Sequence, residues 1–389
     1  MEYLNIKNSN NKLSFEIKGD ISKGLDKSII NGIRRTIISH TDTVAFEQIN
    51  IIENNTSIHN EYIKQRLELI PISISPKNYK NNYLFMIHVV NDNNEPIIKI
   101  TSNDFDIFPL KSDSIYKDTV TINDYDLNNK VPDKVKNSII KPFTIRDITS
   151  YILITELKNT NNTKDKQSLK LYCFPSIGTS KQHSKYNNVS QAVYTFHKDE
   201  SLFDEQLKNI IKIKKIDKSE LEEFKSDYYL EYSERFYHRD INTEPYWYDF
   251  NMSSYHFDKP LTIYKKSILH IISQLQKCIE NFENLLTDND NKLFKYTKVN
   301  NSFVIKMNEF DDTIGNIIQS HVVKNIDDKS LIIVCGYRKP HPLELNIDLS
   351  LTPREKYSND KQALNLLVVN LNNIILEIID ILNDMNSKI

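Results

Sequence analysis

Glycine is scarce in this chain, with six residues in 389. A loop that cradles phosphate on backbone N–H groups needs glycine where the chain approaches its ligand. No GxGxxG or GxxxxGKS/T run is present, so a nucleotide-binding loop of that kind is excluded. Cysteine is sparse too. Cys173, Cys278 and Cys335 are odd in number and far apart, which gives neither a disulfide framework nor zinc-ligand spacing. That usage suits a reducing compartment. The ten histidines (His40, His59, His88, His183, His197, His238, His256, His270, His321 and His341) are scattered, and no HExxH or DxDxDG pattern occurs. Neither charge sign dominates: 50 Lys and Arg face 52 Asp and Glu, so no global field draws the chain to nucleic acid or an anionic membrane. No run of about 18 apolar residues is found, and no membrane span is expected. The opening residues MEYLNIKNSNN lack the basic-then-apolar pattern of a signal peptide.

What is present is concentrated first in Ser28–Pro71. Ile29, Ile33 and Ile37 recur at i, i+4 and i+8 with Ile30 beside them, which predicts a helix with an apolar stripe and Arg35 pointing away from it. Asp26 is placed to cap that helix. Val44 to Ile52 is rich in β-formers. Asn60 to Ile70 reads as a short helix with Ile63, Leu67 and Ile70 on one face, stopped by Pro71. Before all of this, Leu13, Phe15 and Ile17 alternate as a strand.

From about residue 77 to 180 the pattern changes to short β-like runs, Tyr83–Val90, Ile97–Thr101, Ile145–Leu157 and Leu169–Cys173, without a helix of convincing period. Residues 199–240 are charged with tyrosine interleaved, and Tyr246 to Asn251 reads as a strand with the single tryptophan, Trp247, half-buried in it. Pro260 then opens a long helix with an apolar seam through Ile268, Ile271, Ile272, Leu275, Cys278, Ile279, Phe282, Leu285 and Leu286. After the polar break 287–292 the same order returns. Phe303, Ile305 and Met307 alternate, and Asp311 or Asp312 caps a helix bearing Ile314, Ile317, Ile318, His321 and Val322. Strands are expected over Leu331–Gly336 and Leu343–Leu351, around the turn Arg338–Pro342. A last helix carries Leu364, Leu367, Val368, Leu371, Ile374, Ile375, Ile378 and Leu382. Strand, helix, strands and long helix thus occur twice. Each copy has an apolar seam too wide for a lone surface helix, and packing one copy on the other buries both.

Chemistry is hard to find. Cys173 with His183 is a weak nucleophile pair, far more simply read as a strand cysteine and a loop histidine. Leu207–Lys218 is locally basic and the stretch 228–248 is rich in tyrosine. Together they admit a nucleic-acid-binding module as the alternative function, against a solvated helix face and a wet protein interface. Arg34 and Arg35, adjacent beside an apolar stripe, suit a polar anchor at an interface, because the guanidinium fork pairs bidentately with carboxylates and carbonyls.

Two sets of motifs resemble the α-like assembly subunits of DNA-directed RNA polymerases. Asn31-Gly32-Ile33-Arg34-Arg35-Thr36-Ile37-Ile38 resembles the N-A-I-R-R-T/V-L signature of the larger α-like subunit. His59-Asn60-Glu61-Tyr62-Ile63-x-x-Arg66-Leu67-x-Leu69-Ile70-Pro71-Ile72 is similar to its H-D-E-F-I-x-x-R-L-G-L-I-P-L motif, with Glu68 in place of the glycine, and Lys181-x-His183-Ser184-Lys185-Tyr186 to its K-E-H-A-K-W stretch. Asp312-Thr313-Ile314-Gly315-Asn316-Ile317-Ile318 and Gly336-Tyr337-Arg338-Lys339-Pro340-His341-Pro342-Leu343-Glu344 resemble the H-T-L-G-N-L-L and G-Y-x-x-P-H-P-L-E motifs of the smaller subunit. In cellular archaeal-type and eukaryotic enzymes these are two chains. Their succession in one chain resembles the fused form of large cytoplasmic DNA viruses, and the Asn/Ile/Lys/Asp-rich composition is the bias an AT-rich genome imposes.

The resemblance implies an α+β fold of two dimerisation domains packed as an intramolecular pseudo-dimer. The larger domain would comprise 1–75 and 178–286, with a β-rich insert at 76–177, a linker at 287–297 and the smaller domain at 298–389. It implies a non-catalytic platform without cofactor, on which the two largest polymerase subunits and small assembly subunits gather. Contact with DNA and RNA would be indirect, no membrane would be involved and no homodimer would be needed. Asn31, Arg34, Arg35, Glu61, Arg66, Lys181, His183 and Lys185 would face the large subunits. Ile29, Ile33, Ile37, Leu275, Ile279, Phe282, Ile314, Ile317, Ile318, Leu367, Leu371, Ile374 and Ile378 would form the pseudo-dimer seam. Many larger α-like subunits hold a metal on an insert cysteine cluster. Here Cys173 stands alone in that region, so no zinc and no iron–sulfur cluster is expected. The viral form implies host cytoplasm and virion as the location.

Overall fold

The computed structural model describes the chain except for residues 22–23, 80–81, 93–94, 115–119, 160–165, 218–219 and 288–292. The chain begins with β1 (Glu2–Asn8), β2 (Lys12–Lys18), α1 (Lys27–Ser39), β3 (Asp42–Asn54) and α2 (Asn60–Glu68). There follow β4 (Tyr83–Val90), β5 (Ile97–Thr101), β6 (Asp106–Pro109), α3 (Asp133–Ile139), β7 (Phe143–Ile145), β8 (Ile148–Ser150), β9 (Leu153–Lys158) and β10 (Ser168–Thr179). Next come β11 (Val189–Phe196), α4 (Glu200–Lys214), α5 (Leu221–Tyr232), β12 (Trp247–Ser254) and α6 (Pro260–Thr287). The chain closes with β13 (Phe294–Val299), β14 (Ser302–Asn308), α7 (Asp312–Lys324), β15 (Ile332–Arg338), β16 (Asn346–Pro353) and α8 (Asp360–Lys388). This is a mixed fold with several antiparallel sheets, compatible with the α+β class.

Two compact units divide the chain: 1–37, 191–253 and 260–389 form the first, 38–190 and 254–259 the second. In the second unit, β3, β10, β4 and β6 form a sheet, β5 pairs with β9, and β7 with β8. Its core takes Val44 and Phe46 from β3, Phe85 and Ile87 from β4, Leu169, Leu171 and Cys173 from β10, and Ile63, Leu67 and Ile70 from the α2 stretch. The α2 face therefore follows the i, i+4, i+7 spacing. The expected strand Ile145–Leu157 is broken. Arg146 and Asp147 turn with φ of 48° and 65°, which separates β7 from β8, and β9 starts only at Leu153. A two-residue hairpin turn of this hand needs positive φ at both positions, and aspartate tolerates it. α3, a seven-residue helix, lies in the stretch where none was expected, too short to show a period.

In the first unit two sheets repeat one plan. One has the order β1-β2-β12-β11, the other β13-β14-β16-β15. A hairpin is followed by a helix (α1 or α7), the last strand pairs with the hairpin's second strand, and a long helix (α6 or α8) follows it. The registers agree: Phe15 faces Phe250 and Ile17 faces Tyr248 in one, Ile305 faces Leu349 and Met307 faces Ile347 in the other. All eight of these side chains are buried. The hairpin strand β13 preceding β14 carried no period legible in sequence. The alternation Leu343, Leu345, Ile347 overstated β16. That strand begins at Asn346, and Leu343 is 90% exposed.

Helices join the two repeats. α6 packs along α8, and Tyr264 of α6 meets the Tyr3 hydroxyl at 3.1 Å, which also donates to the Met385 carbonyl at 3.2 Å. Phe282 of α6 stacks edge-on to Phe294 of β13 at 4.9 Å, and Phe294 to Phe310 at 5.5 Å. α1 crosses α7 closely. A Cβ on Gly32 would lie 2.7 Å from Ile317 Cδ1, so the crossing needs a residue with no side chain. α8 is long and apolar enough to cross a membrane by length and composition. One face of it, through Leu364, Leu367, Leu371, Ile375, Ile378 and Leu382, is buried inside the unit, whereas Leu366, Val369 and Leu376 are exposed.

Candidate functional site

The motif residues are held by capping and close packing, and each unit holds its own set. In the first unit, Asp26 caps α1: the Ser28 N–H donates to Oδ1 at 2.6 Å. Its Oδ2 accepts from the Ser320 hydroxyl at 2.8 Å and lies 2.8 Å from Lys324 Nζ, both on α7. Burial alone would raise the Asp26 carboxyl. His321, Lys324 and the Ser28 donors outweigh it and hold the group well below the usual carboxylate range. Burial pushes the His321 imidazole down, and the Asp26 carboxylate opposes that. Asp311 performs the same cap on α7, accepting from the Thr313 N–H at 3.0 Å.

The outer side of α1 carries the expected docking residues. Arg34 Nε donates to Asn31 Oδ1 at 3.0 Å, and both are half-buried. Burial raises the Tyr194 phenol while Arg34 and Lys27 oppose that, so these cations face β11. Arg35 is exposed, and its charge opposes the burial and the Asp312 carboxylate that raise the Tyr337 phenol. Asn31, Arg34 and Arg35 therefore lie on one helix. Arg35 also lies within electrostatic reach of the α7 start and of β15, where the second motif set sits.

In the second unit, Lys181 and His40 approach at 3.5 Å, and the Lys181 N–H donates to the Ser39 carbonyl at 3.0 Å. His183 caps a short turn, its Nδ1 accepting from the Lys185 N–H at 3.1 Å. His59 caps α2 the same way, from the Glu61 N–H at 3.3 Å. In the first unit His341 does so from the Leu343 N–H at 3.3 Å. Each of the three motif histidines thus uses Nδ1 to accept from the N–H two residues on, so their spacing within the motifs reflects turn geometry rather than catalysis. Glu61 and Arg66 are exposed on α2, and an Arg66 NH2 group donates to the Leu153 carbonyl at 2.8 Å.

Lys185, another of the expected interface residues, is held by acidic neighbours. It is 9% exposed, with Nζ 4.0 Å from both Glu47 and Glu68 and 5.2 Å from the Tyr186 ring. A charge taken out of water needs partners of the opposite sign, and Glu68, where the related motif has glycine, supplies one of them. The Tyr186 ring covers Gly178, where a Cβ would lie 2.5 Å from Cε2, and its hydroxyl meets Ser176 Oγ at 2.5 Å. The stretch from Gly178 to Tyr186 is thus a self-packed loop.

Of the expected seam residues, Ile29, Ile33, Ile37, Leu275, Phe282, Ile314, Ile317, Ile318, Leu367, Leu371, Ile374 and Ile378 are buried and Ile279 is half-buried, all in the first unit. Cys173 is wholly buried on β10 and burial pushes its thiol far up, which leaves no thiolate for nucleophilic work. The basic stretch from Leu207 runs along α4 to Lys214, and its last residue, Lys218, lies outside the described residues. Tyr228 is buried, stacking on Tyr232 at 4.7 Å and packing with Phe203 at 5.4 Å, so these rings serve the α4–α5 contact.

No protein-family model matches the chain. Among curated proteins, it is 25% identical over 208 residues to the DNA-directed RNA polymerases IV and V subunit 3B of Arabidopsis thaliana, covering 52% of this chain and 61% of the relative. It is 25% identical over 202 residues to the DNA-directed RNA polymerases I and III subunit RPAC1 of Homo sapiens (50% and 54%). It is 24% identical over 178 residues to the DNA-directed RNA polymerase subunit Rpo3 of Pyrobaculum arsenaticum (46% and 58%). The chain spans about half to three-fifths of the length of these relatives. The similarity is weak and covers about half of the chain, and it is to α-like subunits of RNA polymerases.

Proposed function

We propose that the chain is a non-catalytic assembly subunit of a multisubunit DNA-dependent RNA polymerase. It would carry the larger and smaller α-like subunits fused in one chain and hold the two largest, catalytic subunits for transcription. The observation that carries this reading is the repeated sheet plan of the first unit, with α1 crossing α7 and α6 lying on α8. The similarity to polymerase subunits supports it. On this reading the repeats are the two halves of a pseudo-dimer. Fusion then makes their association intramolecular and raises the effective concentration of each half for the other. Small assembly subunits join the same complex, and contact with DNA and RNA is indirect. If the chain is the fused viral form, its location on this reading would be the host cytoplasm, in viral factories, and the virion.

Affinity purification of the tagged full chain from its native source tests the assignment. Both largest polymerase subunits are expected in stoichiometric yield, and recovery of the chain without them overturns it. Detection in purified particles tests the viral placement.

A further inference from the structure

The two sheets of the first unit differ at one set of equivalent positions. In the second repeat, Lys306 of β14 faces Asp348 of β16 across the strand pair, and Arg338 of β15 reaches Asp348 Oδ2 at 3.1 Å through both Nε and an NH2 group. One carboxylate there sits between two cations. In the first repeat, Glu16 of β2 faces Asp249 of β12 in the same register. The position of Lys306 is taken here by a carboxylate, and the imidazole that approaches Asp249 comes from His197, which follows β11 and lies opposite Trp247.

Like charges placed directly across a strand pair are destabilising. The first repeat nonetheless presents two carboxylates and an imidazole together. His197 Nδ1 is 2.8 Å from Asp249 Oδ1, and one ligand atom each from Glu16, His197 and Asp249 lies within 4.8 Å of the others. All three are half-buried. They are also held in place. Asn5 Nδ2 donates to Glu16 Oε1 at 2.6 Å, the His197 ring stacks on Trp247 at 4.0 Å, and the backbone N–H of His197 donates to the Trp247 carbonyl at 3.0 Å. The nearby lysines are engaged, Lys18 over the Trp247 ring at 4.4 Å and Lys198 with Glu234 at 2.6 Å. His197 and Asp249 open onto a groove of about 520 Å³ that Asp199 and His238 also line.

We propose that Glu16, His197 and Asp249 bind a divalent first-row transition ion of the Zn²⁺ or Co²⁺ kind, which supplies the positive charge that Lys306 and Arg338 supply in the second repeat. One imidazole nitrogen and two carboxylate oxygens form a three-ligand set with the fourth position left to water from the groove. Zinc bonds of roughly 2.0–2.1 Å give ligand atoms about 3.3 Å apart in a tetrahedron, so His197 Nδ1 and Asp249 Oδ1 would exchange their 2.8 Å hydrogen bond for the ion and release its proton. The imidazole selects such ions over magnesium and calcium, and the Asn5 and Trp247 contacts orient the ligands. Positions 16, 197 and 249 show no ligand spacing in sequence. The sheet alone joins them, which is why a reading of the sequence expects no metal.

The test is titration of the full chain with Zn²⁺ by calorimetry and with Co²⁺ by visible absorption. The wild type is expected to bind one equivalent of each. Glu16→Lys restores the second repeat's charge pattern. It is expected to keep a melting temperature at or above that of the metal-free wild type while binding at least about 100-fold more weakly, at the upper end of what a lost supporting group costs. His197→Ala and Asp249→Asn are expected to weaken binding as well. Absence of stoichiometric binding by the wild type, or a folded Glu16→Lys chain that binds Zn²⁺ as tightly as the wild type, overturns the proposal.

Discussion

The Asp26 carboxylate at the start of α1 lies 2.8 Å from the Lys324 ammonium at the end of α7, so a helix cap in one repeat is also an ion pair to the other. Asp26 is 4% exposed, whereas the Lys324 side chain is about a third exposed. Lys324→Met leaves the carboxylate with its Ser28 and Ser320 donors, so the loss is expected near the low end for a buried pair, about 2 kcal/mol. Asp26→Ala removes the cap as well and is expected to cost about 3 kcal/mol. Urea unfolding of the two variants checks the order. Because the Asp26 carboxyl is held down when folded, its contribution is complete above the ordinary aspartate value of 3.8 and is lost as pH falls below that.

His256 sets a second, separate pH window, in the second unit. It is 7% exposed, its Nδ1 is 3.4 Å from the Ile72 carbonyl, and burial lowers it from 6.5 to about 4. The unfolded chain therefore takes up the proton first as pH falls. Stability is whole above pH 6.5 and declines between 6.5 and about 4, by about 3 kcal/mol at most. A His256→Gln variant is expected to lose this slope. A stability profile in that window that stays equally steep in the variant would show that another group carries it.

Gly32→Ala and Gly178→Ala should both destabilise, for different reasons. The first drives a methyl into Ile317 Cδ1, the end of a side chain that can yield a little, and is expected to cost about 1–2 kcal/mol. The second meets the Tyr186 ring, which is held by its bond to Ser176, and is expected to cost about 3 kcal/mol. Melting curves of the two variants should rank them in that order.

Arg35→Ala is expected to leave the chain folded, because Arg35 is exposed on α1, and to weaken its co-purification with a large polymerase subunit. A charged group lost from a buried interface pair costs on the order of 2–5 kcal/mol, enough to empty a pull-down. Unchanged recovery of that subunit with a folded variant would remove Arg35 from the docking surface.

Cys173, Cys278 and Cys335 are all buried, and burial raises each thiol. Labelling of the native chain by a thiol reagent at neutral pH is expected to be slow at all three and fast after unfolding. Rapid labelling of native Cys173 would reopen the reading of this chain as an enzyme.

Much of the helical scaffold was legible because long amphipathic helices announce themselves. The α1 stripe, the α7 face and the seams of α6 and α8 follow from isoleucine and leucine spacing, and Asp26 and Asp311 cap where their positions suggest. Strands bounded by polar residues were legible as well, β4 and β5 to the residue. What was hidden lies in local backbone and in pairing. The Arg146–Asp147 turn needs positive φ that neither residue advertises, and apolar alternation at Leu343 and Leu345 persists into an exposed turn. The burial of Lys185 beside Glu47 and Glu68 depends on residues from β3 and α2, far away in sequence. Glu16, His197 and Asp249 meet only through strand order, which no single stretch of the chain contains.

The second unit interrupts the first repeat between α1 and β11, and this has a consequence for synthesis. β13 to α8 is contiguous and can close its sheet from near neighbours. The β1–β2 hairpin must wait for β12, more than two hundred residues later, before its inner edge is covered. On the ribosome, at roughly 5–20 residues per second, that strand edge stays open for on the order of ten seconds or more while the intervening unit emerges. Non-local pairing of this kind is slow and exposed to misassembly, so the N-terminal hairpin is the segment most in need of protection as the chain is made.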